Sequence, residues 1–316
     1  MRKPLFLMSL VLSMLLCACG NSTLPTTNTT EEPSVTTVTP TTSEDESKKV
    51  DVIFLAGQSN MEGHTHISEL QKRVTPTQFQ YYSSEMTTRI KFYCDNGKNK
   101  SNGFTKVYLG QGFNASRYGP EIGIAETLEK ANLKREVILI KFCLGGTNIY
   151  SDWRSDRSGS GSKLYYDFLE FGDNAIAELE EMGLEVNVRG LCWMQGESDA
   201  TQDRMTEKYE VYEKNLFDDI YQYFEDKVEN EFHIMDAYIS DCSTWKNYEA
   251  INQAKENNSA NNPNHHIIDT LGAGLKYDSE PLGGVDLFHY DSLSMIQLGQ
   301  MFGEQIIEYA LKDERL

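Results

Sequence analysis

A serine at position 59 and an aspartate–histidine pair at positions 286 and 289 are the residues of this chain best suited to acyl-transfer chemistry. Ser59 follows an apolar run, Val52-Ile53-Phe54-Leu55-Ala56, through the polar turn Gly57-Gln58-Ser59-Asn60. Such a run reads as a buried strand, and the turn sets Ser59 at its carboxyl end, where open α/β sheets bind ligands. A serine hydroxyl becomes a nucleophile when a base lies within hydrogen-bond reach and a third group orients that base. Asp286 and His289 stand three residues apart, so one short turn can carry both. The aspartate can accept from one imidazole nitrogen while the other faces Ser59. Taken alone, Ser59 could equally cap the helix that follows it.

The elements that must position these residues repeat one pattern. The run 137–142 leads into Gly145-Gly146-Thr147, and the run 188–194 ends at Gln195-Gly196-Glu197-Ser198-Asp199. In a parallel sheet these strand ends share one edge, so the three blocks and the Asp286–His289 block should converge, bringing donors for a developing oxyanion. Further strands are expected at 89–93 and 232–238. Helices are expected at 121–131, 168–182, 209–224 and 292–311, the first opened by Gly119-Pro120-Glu121 and marked by Ile122, Ala125, Leu128 and Ala131 at helical spacing. Alternating strands and helices predict a single α/β domain over 50–316: a three-layer sandwich with a parallel sheet of about five strands covered on both faces. Segments 62–88, 96–118, 150–165 and 240–285 read as the loops that shape the pocket.

Five blocks in this order resemble the SGNH hydrolase superfamily: Gly57-Gln58-Ser59-Asn60-Met61, Gly119-Pro120-Glu121, Gly145-Gly146-Thr147, Trp193-Met194-Gln195-Gly196-Glu197-Ser198-Asp199 and Asp286-Leu287-Phe288-His289. The closest branch is the sialate O-acetylesterase-type domain, which includes acetylxylan esterases of carbohydrate esterase family 6. The likeness covers roughly residues 50–312. It implies Ser59 as nucleophile, His289 as general base and Asp286 as the carboxylate that orients it. It implies an oxyanion hole made of the Ser59 N–H, an N–H of Gly145 or Gly146, and the Gln195 amide. Many members carry Asn where this chain has Gln195, and the longer amide moves the donor. Gln58 and Asn60 take supporting places, and Glu197 is expected to make a structural hydrogen bond. The implied activity is removal of O-acetyl groups from an acetylated xylan-type or related glycan through an acetyl-serine, without a cofactor. Sialate deacetylation is the alternative enzyme reading. A lipid-anchored glycan-binding protein on the same fold is the non-catalytic one, against which the complete set of catalytic blocks argues.

Composition narrows the partners. The 316 residues hold 29 basic and 48 acidic side chains, a net charge of −19. Basic clusters that track phosphate backbones are missing, which argues against nucleic acid and favours a neutral substrate. Residues 1–18 have the layout of a secretory leader, with Arg2 and Lys3 before an apolar run. The sequence Leu16-Cys17-Ala18-Cys19-Gly20 resembles a bacterial lipobox with Cys19 as the lipidated residue, so a lipid-anchored protein at the bacterial cell surface is expected. Residues 19–49, rich in Thr, Ser, Pro and Glu, read as a disordered tether with a reach of ~30 Å. Cys94, Cys143, Cys192 and Cys242 follow no metal-ligand spacing, and free thiols are favoured over a disulfide. His64-Thr65-His66 and His265-His266 read as exposed loop pairs rather than metal ligands. Trp153 and Trp245 could form a sugar platform or pack into the core.

Overall fold

The run around Phe54 becomes β1 (Lys49–Gly57), buried along all but its first residue. A strand covered on both faces carries no alternation, and that is how parallel strands under helices read. The structure, a computed structural model, describes residues 48–316. The expected leader, Cys19 and almost all of the expected tether lie outside the described residues. Five more strands run parallel to β1: β2 (Arg89–Cys94), β3 (Glu136–Cys143), β4 (Glu185–Met194), β5 (His233–Ala237) and β6 (His265–Ile268). Their order is β6-β5-β4-β1-β3-β2, with two short antiparallel pieces added at the β2 edge. β1 has β3 on one side and β4 on the other, so the chain switches direction across the sheet there, and a crevice opens at the carboxyl ends.

Five helices cover the sheet: α1 (Glu121–Lys130), α2 (Lys163–Glu181), α3 (Asp203–Phe224), α4 (Tyr248–Ala260) and α5 (Ser292–Gln305). Successive residues of β3 report the layering. Lys141 points to Glu121 of α1, at 2.8 Å, while Phe142 packs against Phe168 and Phe171 of α2. α5 lies directly against α1, because a Cβ at Gly123 would stand 2.1 Å from the Ile296 carbonyl oxygen. Lys141 is fully buried and satisfied threefold, by Glu121 and by the carbonyls of Glu62 and Gln111. It therefore ties β3 to the turn that begins at Ser59.

The sheet has one parallel strand more than the pattern suggests, and the difference lies in 240–285. That segment holds α4 and β6 rather than a loop alone. The inward face of α4 carries Ile251, Asn252, Ala254, Lys255 and Asn258, so polar residues hide its period. Lys255 bonds Asp236 and lies 3.5 Å from Glu213, which accepts from Asn258 at 2.9 Å. The closing helix ends at Gln305 and continues as a wider turn over Ile306–Ala310. The four cysteines of the folded part are buried free thiols. No helix among the described residues is long and apolar enough to cross a membrane.

Candidate active site

The three strand ends meet as their sequences predict. Gly57 pairs with Cys143 on one side and with Met194 on the other. Its φ is +142°, and a Cβ there would lie 2.1 Å from the Met194 carbonyl oxygen, so the turn admits only glycine. The Gln58 N–H donates to that same oxygen at 3.0 Å. Ser59–Glu62 then forms a single helical turn, whose leading N–H groups have no intrahelical acceptors. Ser59 is 8% exposed, enough to reach solvent at the rim of the crevice.

His289 Nδ1 lies 2.6 Å from Asp286 Oδ2, and Asp286 Oδ1 accepts the Phe288 N–H at 2.9 Å. Donation through Nδ1 leaves Nε2 as the basic nitrogen. Burial works against the Asp286 charge, but the hydrogen bond and charge of His289 outweigh it and hold the carboxyl below its ordinary range. Asn60 brings this pair to the serine. Its Nδ2 donates to Glu197 Oε1 at 2.8 Å and to the Phe288 carbonyl at 3.3 Å, and its Oδ1 accepts the Tyr290 N–H at 3.3 Å. The residue after Ser59 thus grips the backbone on both sides of His289. Glu197 is fully buried, and burial pushes its carboxyl up against the lowering effect of Asn60. Its place is the structural hydrogen bond that the sequence suggests. Among the described residues the Ser59 hydroxyl has no hydrogen-bond partner, an open arrangement common in sites without substrate.

Two of the groups expected to hold an oxyanion already have protein acceptors. The Gly145 N–H already donates to Glu62 Oε2 at 3.0 Å. Gly146 is exposed, with φ +72°, and its N–H has no acceptor among the described residues. Gln195 is fully buried, and its Nε2 lies 2.6 Å from Asp199 Oδ2, 3.2 Å from the Thr147 carbonyl and 3.2 Å from Gln58 Oε1. Its two N–H bonds are committed to protein acceptors. Gln58 is the amide left available: its Oε1 is held by Gln195 and by the Ser198 N–H at 3.3 Å, and its Nε2 has no acceptor among the described residues. Asp199 anchors the relay, and burial raises its carboxyl to about 6.

The two tryptophans part company. Trp153 is fully buried, donates to Thr147 Oγ1 at 3.0 Å and packs on Trp193, so it belongs to the core and offers no sugar platform. Trp245 lies 5.4 Å from the ring of Phe288, beside His289. The histidine pairs are not exposed loops. His265 is buried on β6 against Asp236, at 3.2 Å, and His266 stacks on Tyr309. His66 precedes a short helix, Ile67–Arg73. His64 stacks face to face on His289 with centroids 4.4 Å apart, and its Nε2 lies 2.7 Å from Glu62 Oε2. Glu62 and His64 are the site residues that sequence reasoning missed. Their position within five residues of Ser59 was the available signal, because the turn keeps them near the strand end.

The profile of a carbohydrate esterase family, sialic acid-specific acetylesterase, matches residues 49–308. No curated protein matches the chain by sequence. Among solved structures, a protein from Arabidopsis thaliana is 18% identical over 82% of this chain and 98% of its own, with a TM-score of 0.57. NanS is 15% identical over 83% of this chain and 98% of its own, also with a TM-score of 0.57. At such identities the likeness concerns the fold, and it extends over nearly the whole of both neighbours. With the profile spanning most of its length, the chain belongs to the sialic acid-specific acetylesterase family of carbohydrate esterases, and it is a carboxylic ester hydrolase.

Proposed function

We propose that Ser59, His289 and Asp286 remove O-acetyl groups from a neutral, xylan-type glycan in two acyl-transfer steps. Ser59 Oγ attacks the acetyl carbonyl while His289 Nε2 takes its proton, forming a tetrahedral oxyanion. Collapse breaks the bond to the sugar oxygen, which leaves as an alcohol with the proton held on His289. Water, deprotonated by His289, then attacks the acetyl-serine and releases acetate with free Ser59. Asp286 keeps the imidazole in the tautomer that both steps use. The N–H of Ser59, the N–H of Gly146 and the Nε2 of Gln58 are the proposed oxyanion donors. The observation that carries this reading is the Asn60 clamp, which fixes the backbone on both sides of His289 to the residue that follows Ser59.

A neutral sugar fits the chain's strong negative charge and the aromatic surface of Trp245 and Phe288 beside His289. Sialate is the second reading, favoured by the family's description and by Arg117, a cation near enough for the Asp286 charge to act on it. Acetate release from acetylated xylan and from O-acetylated sialic acid, by the natural protein and by Arg117→Gln, separates the two. Preference for xylan with no effect of the substitution supports the neutral glycan. Preference for sialate with a KM raised only for that substrate supports the other.

A further inference from the structure

A second carboxylate–imidazole pair lies against the first, and the acyl-transfer steps leave it without a task. Glu62 and His64 sit on the turn that begins at Ser59. The His64 ring is the middle of a three-ring stack, with His289 at 4.4 Å and 17° on one face and Phe113 at 4.6 Å and 29° on the other. Its Nε2 lies 2.7 Å from Glu62 Oε2. Glu62 itself cannot swing, because the Asp95 N–H donates to its Oε1 at 2.6 Å and the Gly145 N–H to its Oε2 at 3.0 Å. A Cβ built on Gly145 would meet Glu62 Oε2 at 2.8 Å, His64 Nε2 at 3.0 Å and Ser59 Cβ at 3.4 Å. All these groups therefore border one point beside the serine.

We propose that His64, held by Glu62, is a positioning residue that braces the His289 ring in the plane from which it serves Ser59. The Asp286 bond fixes His289 at Nδ1 but leaves the ring free to tilt about that contact, and the stacked face of His64 removes the tilt. The charged and titratable groups around the stack are Asp286 on the His289 turn, Glu62 on the serine turn and Glu197 after β4. Lys141 of β3 binds the Glu62 carbonyl, and Arg117 lies near Asp286. Burial lowers the His64 pKa more than Glu62 raises it, so the brace stays neutral while His289 takes up its proton.

The inference rests on the proposed roles of Ser59 and His289, and its test keeps the two apart. His64→Gln retains a partner for Glu62 and loses the stack, and kcat should fall by ~10²-fold with KM little changed, the scale of a small misplacement of a reacting group. His64→Phe restores the stack without the Glu62 bond and should recover most of that loss. Thermal melts report whether each variant folds. Equal kcat in His64→Gln and the natural protein, or equal losses in His64→Gln and His64→Phe, overturns the brace. Turnover surviving Ser59→Ala or His289→Ala instead counts against the acyl-transfer roles.

Discussion

Removing the Asn60 side chain should strike stability and turnover together. Asn60→Ala deletes the 2.8 Å bond to Glu197 and the two 3.3 Å contacts to the backbone around His289. A buried hydrogen bond to a charged group is worth about 1.5–3 kcal/mol and a neutral one about 0.5–1.5 kcal/mol, so the loss should reach about 2.5–6 kcal/mol. The Glu197 share is separable. Glu197 Oε2 already lacks a partner, and Asn60→Ala would strip the other oxygen of a fully buried carboxylate. Removing both partners is cheaper than removing either in isolation suggests. In urea denaturation the double variant Asn60→Ala/Glu197→Ala should therefore be about 1.5–3 kcal/mol more stable than the sum of the single losses predicts. The loop carrying His289 stays loose in both, so kcat should remain depressed by ~10²-fold even where stability is recovered. Additivity within ~0.5 kcal/mol, or normal kcat in Asn60→Ala, refutes the clamp.

Losing an oxyanion donor costs ~10²–10³ in kcat, so Gln58→Ala should fall in that range. Gln195→Ala, which only removes one of the two donors holding Gln58, should lose less, and the reverse ranking in steady-state assays returns the donor role to Gln195. Glu213 is raised to about 7 by burial and by Asp236 beside it, so the stability it contributes is complete below the ordinary carboxylate pKa and is lost as pH rises through 7. Thermal melts should show Tm falling across that window in the natural protein, and Glu213→Gln should flatten the fall. The proposed lipid anchor at Cys19 predicts that Cys19→Ser shifts the protein, expressed in a bacterium, from the membrane to the soluble fraction, and unchanged membrane association contradicts it.

Much of the site could be read from the sequence, because the chemistry writes itself in adjacent residues. Ser59 follows its strand directly, and Asp286 and His289 share one turn. Strand ends that finish in Gly-containing polar blocks could be paired without coordinates, since a parallel sheet brings them to one edge. Which of the Gln58 and Gln195 amides is engaged within the protein could not be read in that way. Both amides stand in such blocks, and which one turns inward depends on Asp199, whose carboxylate captures Gln195 through contacts to Ile149 and Tyr150 elsewhere in the chain. Trp153 and Trp245 pose the same problem, since both follow strand ends and only packing sends one into the core. α4 escaped notice because Asn252, Lys255 and Asn258 take inward positions where periodicity expects apolar residues. Their satisfaction by Glu213 and Asp236 is a tertiary fact, invisible in a hydropathy pattern.

Peptide mass spectrometry of acid-quenched protein, after brief incubation with 4-nitrophenyl acetate, addresses the nucleophile without reference to any sugar. An acetyl group on the peptide containing Ser59, strongly reduced in His289→Ala and absent from Ser59→Ala, is the predicted result. Full turnover with that serine never acetylated, or acetylation of another side chain that tracks turnover, contradicts the account at its centre.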